Sequence, residues 1–236
     1  SLMDGAPPGF RPRDFMKTPQ SMICFALPIP SGVYSVSQFN SEFVWRAQNL
    51  MYRQLDTHAL NISIILENEG YTALPVHGCL PTRYNSKKEF AGHINQLDIG
   101  RLTGIGFIGR NGLLLNSLYG SRMMLGALLT SAHLEPACQP ETRENDCPEG
   151  CDICAGVCPV NAINIKERRV NIMKCLYYTS KVHHLPKLRF LILRLIKPEA
   201  SVRLFNLRCF DDHTFHICSR CVSECPYGRK DIPDAR

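Results

Sequence analysis

The stretches Cys147-Pro-Glu-Gly-Cys-Asp-Ile-Cys-Ala-Gly-Val-Cys-Pro159 and Cys218-Ser-Arg-Cys-Val-Ser-Glu-Cys-Pro226 decide the fold of the C-terminal part of this chain. Both end in Cys-x-x-x-Cys-Pro, and they hold more than half of its 12 cysteines. The opening residues, from Ser1 to Pro8, have no basic region followed by an apolar core, unlike a secretory signal. Clustered cysteines in such a chain predict metal ligands rather than disulfides, and a cytoplasmic location.

The spacing of these cysteines is similar to that of bacterial two-cluster ferredoxins, in which the fourth cysteine of each run binds the other cluster. It predicts one [4Fe–4S] cluster on Cys147, Cys151, Cys154 and Cys225, and a second on Cys158, Cys218 and Cys221. The second cluster needs one more ligand, and spacing leaves Cys175 and Cys209 as alternatives. The remaining cysteines, which include Cys24, Cys79 and Cys138, are predicted to be ordinary thiols.

A pair of zinc sites is the alternative to the iron–sulfur clusters. Sets of four cysteines also bind Zn²⁺, and His213 and His216 could contribute ligands. The two Cys-x-x-x-Cys-Pro endings favour iron–sulfur clusters. The extra residue between Cys147 and Cys151 departs from the ferredoxin spacing, but Gly150 can take up the added turn.

The composition is that of an ordinary globular protein, with 44% hydrophobic and 20% charged residues among 236. It excludes disorder, collagen-like repeats and coiled coil as the main architecture, and no apolar run reaches the roughly 20 residues of a membrane-spanning helix. The formal net charge is +6, but two clusters with four thiolates each would lower it to about +2. Net charge alone therefore gives little support to nucleic-acid binding.

The N-terminal part shows a mixture of strand and helix signals. Apolar runs predict strands over 21–27 and 71–76, and helical periodicity predicts a helix over 43–69 that ends at Gly70. A second helix is expected over 92–102, followed by a glycine-rich segment and the apolar run 123–129. These elements indicate an α/β or α+β unit.

Two domains follow from this pattern. Residues 1–135 form the α/β domain, and residues 136–236 form the cysteine-rich module, with a linker at 133–146. The module carries an insertion over 176–208 with a basic, apolar helix near 185–196. Such a segment could bind RNA or an anionic membrane face, but it is more often a solvated helix face.

Three motifs carry a resemblance to a known family. The segment Thr103-Gly-Ile-Gly-Phe-Ile-Gly-Arg-Asn-Gly-Leu-Leu-Leu115 is followed by Tyr119-Gly-Ser-Arg-Met-Met-Leu-Gly-Ala-Leu-Leu-Thr130. Together with the cysteine runs and Lys174-Cys-Leu-Tyr-Tyr-Thr179, they resemble the epoxyqueuosine reductase and reductive dehalogenase superfamily. The cysteine of the family's Cys-x-x-Tyr-x-Thr motif is a cluster ligand, which favours Cys175 over Cys209.

The resemblance implies an α+β fold: a nitroreductase-like α/β domain that holds cobalamin without a protein ligand below the cobalt, followed by a ferredoxin-like two-cluster module. It implies cobalamin-dependent reduction of a small molecule or modified nucleoside, with electrons from a low-potential donor such as ferredoxin or flavodoxin. Within this pattern the candidate cofactor contacts are Gly106, Gly109, Arg110, Asn111, Tyr178 and Thr179. The glycines would let the backbone approach a corrin, or would serve only as tight packing positions.

Proton donors are harder to identify. The family's Val-Asp-x-x-Pro catalytic acid has no counterpart here, because the segment 70–75 contains no acidic residue. Tyr84, His93 and Asp98 are the candidates, although a helix cap or a surface charge also accounts for each of them. Two other functions remain as alternatives: a non-catalytic electron carrier that reductively activates a corrinoid partner, and a flavin-binding reductase on the same fold.

Overall fold

The computed structural model describes residues 6–36, 40–76, 83–84, 90–135, 147–179, 184–197 and 218–227. The strands are β1 (Ser21–Pro28), β2 (Ala73–Val76), β3 (Arg83–Tyr84), β4 (Phe90–Ala91), β5 (Phe107–Ile108), β6 (Leu114–Leu115), β7 (Met123–Thr130), β8 (Ile163–Asn164) and β9 (Arg169–Val170). The helices are α1 (Pro12–Phe15), α2 (Gly32–Ser35), α3 (Asn40–Asn68), α4 (Gln96–Leu102), α5 (Ile153–Gly156), α6 (Ile172–Thr179), α7 (His184–Ile196) and α8 (Arg220–Ser223).

A three-stranded antiparallel sheet in the order β1-β7-β2 forms the centre of the N-terminal unit. In β7 the run Met-Met-Leu-Gly-Ala-Leu-Leu-Thr is buried along nearly its whole length, because both faces of this central strand are covered. Pro75 lies in the edge strand β2, where the missing N–H costs no ladder hydrogen bond. The other strands pair as short antiparallel hairpins. The described fold is therefore α+β.

The long helix α3 covers one face of the sheet. Leu55 is 1% exposed and lies in a cluster with Ile29 and Met124, and Phe25 and Met51 pack against this cluster. Gly126 lets α3 approach, because a Cβ on Gly126 would lie 3.2 Å from a methyl carbon of Leu55 and closer still to the ring of Phe25. Helix α4 covers the other face through Ile99, which is fully buried.

Helix α3 ends in a Schellman motif. Gly70 has φ +86°, its N–H donates to the Glu67 carbonyl, and the N–H of Tyr71 donates to the Leu66 carbonyl. The C-terminal end predicted at Gly70 is thus confirmed. Helix α4 is shorter than predicted because Asn95 caps it, with its Oδ1 accepting from the Leu97 N–H at 3.1 Å.

The core gives a first testable expectation. Leu55→Ala removes a fully buried side chain between α3 and β7, and the surrounding backbone of a central strand can relax little into the space. We expect a loss of about 2–5 kcal/mol in the free energy of unfolding. Chemical denaturation measures it, with Leu60→Ala as control, since Leu60 on the same helix is 53% exposed. Equal losses in the two variants would contradict the assignment of α3 to this core.

Several sequence expectations concern residues outside this description. Cys79, Cys138 and Cys209 lie outside the described residues, as does most of the linker at 133–146 and much of the insertion at 176–208. Within the insertion, the helix near 185–196 is present as α7. Among the described residues no helix is both long enough and apolar enough to cross a membrane.

Candidate metal centre

The two cysteine runs fold into the same local shape. Each contains a one-turn helix, α5 or α8, with a cysteine inside it at Cys154 or Cys221. Each helix ends at a residue that keeps right-handed α backbone angles, and the last cysteine, Cys158 or Cys225, follows. The matching Cys-x-x-x-Cys-Pro spacing therefore produces matching geometry, and the two helices pack against each other.

Four cysteines from the two runs surround one pocket. Its lining consists of Arg110, Asn111, Leu115, Cys147, Cys151, Ile153, Cys154, Cys225 and Pro226. We call this the first thiolate pocket. The first run supplies three of its cysteines, and Cys225 reaches it from the second run. These four are the residues that the ferredoxin spacing groups together.

The other four predicted ligands form a second group, which consists of Cys158, Cys175, Cys218 and Cys221. Burial, together with the neighbouring Cys175, Cys218, Cys154 and Cys158, raises the pKa of Cys221 to about 12. Burial likewise raises the pKa of Cys175 to about 11, together with Cys218 and Cys158. Cys158 thus lies with the second run, so the last cysteine of each run crosses to the other group.

Burial and mutual repulsion disfavour thiolates in the first pocket as well. The pKa of Cys154 is raised, mainly by burial and then by Cys147, Cys151 and Cys225. The pKa of Cys225 is raised for the same reasons. Four thiolates can coexist here when positive iron compensates their charge, since metal binding drives the deprotonation of its ligands.

The spacing of the cysteine side chains is compatible with a cluster. In the described ranges no three His, Cys, Asp or Glu side chains form a group that could hold one metal ion. The thiolates of a [4Fe–4S] cluster bind four different irons and stand further apart than the ligands of a single zinc ion.

The glycine-rich hairpin of β5 and β6 docks onto the cysteine module at this pocket. The Arg110 N–H donates to Cys147 Sγ at 3.3 Å, and its guanidinium Nη1 donates to the Cys151 carbonyl at 2.8 Å. From the module, Arg168 Nη1 donates to the Ile108 carbonyl at 3.2 Å. The ring of Phe107 meets that of Tyr227 edge to face, with centroids 5.1 Å apart.

Two buried polar atoms test whether the pocket suits a cluster. Asn111 Nδ2 is buried and lacks a hydrogen-bond partner in the described part of the chain, and Ser121 Oγ is buried with no nitrogen or oxygen partner there. Asn111 lines the pocket, and the Ser121 hydroxyl lies within hydrogen-bonding reach of the Cys225 thiol. Buried donors are almost always satisfied in native proteins. Sulfur atoms of a bound cluster would satisfy both, so the residues present fit the group.

Comparisons with known proteins relate the chain to epoxyqueuosine reductases. The chain is 32% identical over 181 residues to an epoxyqueuosine reductase of Lactococcus garvieae, a match that covers 77% of this chain and 41% of the relative. It is 25% identical over 223 residues to that of Listeria monocytogenes, covering 92% and 51%. The chain is homologous to epoxyqueuosine reductases over most of its length.

The solved structures of the family have the same fold. The epoxyqueuosine reductase of Streptococcus thermophilus matches with a TM-score of 0.53 at 20% identity, covering 93% of this chain and 52% of that one. A second, solved with a tRNA stem loop, matches with a TM-score of 0.52 at 15% identity and similar coverage. This chain spans about half the length of the relatives it matches. No protein-family model matches it.

The glycine-rich motif packs against β6 and the first thiolate pocket. A Cβ on Gly106 would collide with the carbonyl of Leu115, and one on Gly109 would collide with the Leu115 side chain. These glycines therefore serve the close packing of β5 against β6, which is the packing alternative. Arg110 and Asn111, expected as corrin contacts, have the first thiolate pocket as their observed neighbour.

The candidate proton donors are not grouped at the cysteines. Asp98 lies in the first turn of α4, where Asn95 Nδ2 donates to its carboxylate at 2.6 Å and Arg101 Nε lies 3.9 Å away. His93 meets the ring of Phe15 edge to face. Neither lines the first thiolate pocket. The side chain of Tyr84 lies outside the described residues.

The residues on α6 divide between core and surface. Thr179 is buried, whereas Tyr178 is 45% exposed on the same helix as Cys175.

Two residues near the cysteines, Tyr34 and Ser121, were not predicted from the sequence. The pKa of Tyr34 is raised to about 12, first by burial and also by the nearby Cys221, while Gln48 and Arg122 oppose the shift. Spacing could not find either residue, because neither lies in a cysteine run.

Proposed function

We propose that this chain is an iron–sulfur oxidoreductase that holds two [4Fe–4S] clusters, one in the first thiolate pocket and one on Cys158, Cys175, Cys218 and Cys221. The first thiolate pocket carries the proposal, because four cysteines from two separate runs line it together with an unpartnered buried amide. Residues 1–135 and 136–236 are the two domains of this proposal.

The crossed ligands suggest an electron path through the chain. Because Cys225 and Cys158 each join the cluster opposite to their own run, the two clusters share one compact protein core. Two clusters held in one protein core suit electron transfer from a low-potential donor to a reaction site. Arg110 contributes by fixing the hairpin to Cys147 and Cys151 through its backbone and guanidinium donors.

The family suggests what the electrons reduce. We infer a modified nucleoside in tRNA as the substrate class, since one neighbour was solved with a tRNA stem loop. Reduction of an epoxide to an alkene consumes two electrons and two protons and releases water. Cobalamin, when bound, would supply a strongly nucleophilic cobalt centre for this chemistry. Tyr178 and Thr179 are candidates for contact with it, as is the glycine-rich segment at Gly106 and Gly109, which packs against Leu115 of β6.

A second candidate function is electron transfer to a partner protein. It is favoured by the segment 70–75, where the family's catalytic acid has no counterpart. In this case the chain would reduce a corrinoid or another cofactor on the partner. Reduction of a small molecule by a flavin held in the N-terminal domain is the third alternative from the sequence.

One experiment separates these functions. Protein purified without oxygen is expected to contain about eight Fe and to show visible absorbance that bleaches with dithionite. Hydroxocobalamin and flavin are then titrated separately into the iron-loaded protein. Cobalamin binding supports the reductase, flavin binding supports the flavin enzyme, and no binding of either up to about 50 μM supports the electron carrier. Stoichiometric zinc with little iron would overturn all three.

A further inference from the structure

Asn111 occupies the turn between β5 and β6 with its amide fixed in one orientation. Its Oδ1 accepts from the Leu113 N–H at 3.1 Å, which forms an Asx turn. The side chain is 2% exposed, and its Nδ2 has no hydrogen-bond partner among the described residues although the residue lines the first thiolate pocket. Because the oxygen is committed to the turn, the amide hydrogens are the free group.

Ser121 presents a second buried donor at the same site. It is 7% exposed, and its Oγ has no nitrogen or oxygen partner within the described chain. The hydroxyl lies within hydrogen-bonding reach of the Cys225 thiol, which lines the first thiolate pocket. Two side chains from different turns of the N-terminal unit thus direct buried donors at one cysteine pocket.

We propose that Asn111 and Ser121 donate hydrogen bonds to sulfur atoms of the cluster in the first thiolate pocket and thereby raise its reduction potential. The inference rests on the proposed cluster. A reduced cluster carries one more negative charge than the oxidised form, so a donor to its sulfurs stabilises the reduced form more. Both are positioning residues that tune the cluster and leave its iron ligation to the cysteines.

Two variants remove one donor each. Asn111→Ser keeps an oxygen that can accept from the turn but lacks the amide hydrogens, and Ser121→Ala removes the hydroxyl. At a fixed potential near the midpoint of that cluster, we expect the ratio of reduced to oxidised cluster to fall by about threefold to tenfold in each variant, with iron content unchanged. Electron paramagnetic resonance during a redox titration measures the ratio.

The chain offers matched controls for both variants. Asn116 makes the same kind of turn, with Oδ1 accepting from Leu118, but its amide donates to the Ile105 carbonyl. Ser63 is 3% exposed and donates to the Ala59 carbonyl within α3. Asn116→Ser and Ser63→Ala should leave the ratio unchanged.

The outcomes separate this inference from the proposed clusters. If the wild-type protein contains no iron, the two proposed clusters are refuted. Full iron with an unchanged ratio in both variants would overturn the tuning role alone. Loss of iron from a variant would assign that residue to cluster assembly and likewise overturn its role in tuning. An equal fall in the ratio of reduced to oxidised cluster in the variants and in the controls would show a general effect of lost buried hydrogen bonds. That result would overturn the inference.

Discussion

Cys225→Ser is expected to lower the iron content from about eight to about four per chain. Cys225 follows α8 but lies in the first thiolate pocket with Cys147, Cys151 and Cys154. A serine hydroxyl stays protonated near neutral pH and is a poor replacement for a thiolate ligand. Iron analysis of protein purified without oxygen measures the loss. Cys24→Ser is the control, because Cys24 lies in β1 of the central sheet and packs against the core cluster that contains Ile99 of α4.

Double variants test the crossed arrangement directly. Cys225→Ser combined with Cys147→Ser should lose no more iron than either change alone, since both residues belong to one pocket. Cys225→Ser combined with Cys221→Ser should lose nearly all iron, because the two changes then affect different clusters. If each run bound its own cluster, the second pair would retain about four Fe. That result would overturn the crossed grouping.

The local shape of each cysteine run follows from sequence spacing, because it depends only on residues close together in the chain. A helical turn separates the last two cysteines of each run, and the chain length between them fixes which way each thiol can point. The same reasoning predicted the end of α3 at Gly70, where a glycine supplies a positive φ. Features of this kind need no information from distant residues.

The neighbours of the glycine-rich motif could not be predicted in the same way. Arg110 contacts Cys147 and Cys151 across a separation of about 40 residues, and nothing in the local sequence indicates which surface the hairpin meets. Ser121 and Tyr34 approach cysteines only through the tertiary fold. Long-range docking of this kind depends on the packing of whole elements, which periodicity does not encode.

A shared role in docking explains why the glycines are close together. Gly106 and Gly109 let β5 lie tightly against Leu115, and Gly112, with φ +70°, turns the chain beside Arg168 and Val170. The resulting hairpin is thin enough to place Asn111 in the first thiolate pocket. The motif therefore contributes, in the described structure, to the contact between the N-terminal unit and the cysteine module, whereas its role as a cofactor contact stays a prediction.

Cys175→Ser is expected to halve the iron content, whereas Cys209→Ser should leave about eight Fe per chain. Cys175 lies on α6, and the pKa of its thiol is raised by burial and then by Cys218 and Cys158, so it adjoins the second group. The backbone N–H of Cys175 donates to the Asn171 carbonyl at 3.0 Å in the first turn of α6. This hydrogen bond fixes the position of Cys175 on the helix.

The double variant Cys175→Ser with Cys221→Ser sharpens this test. If both residues bind one cluster, the pair should lose no more iron than Cys175→Ser alone, because that cluster is already absent. Cys138→Ser and Cys79→Ser should retain all iron, as expected for ordinary thiols. Full iron in Cys175→Ser together with a half-loss in Cys209→Ser would transfer the eighth ligand to Cys209. The second cluster would then be completed by Cys209, which directly follows the insertion, rather than from α6.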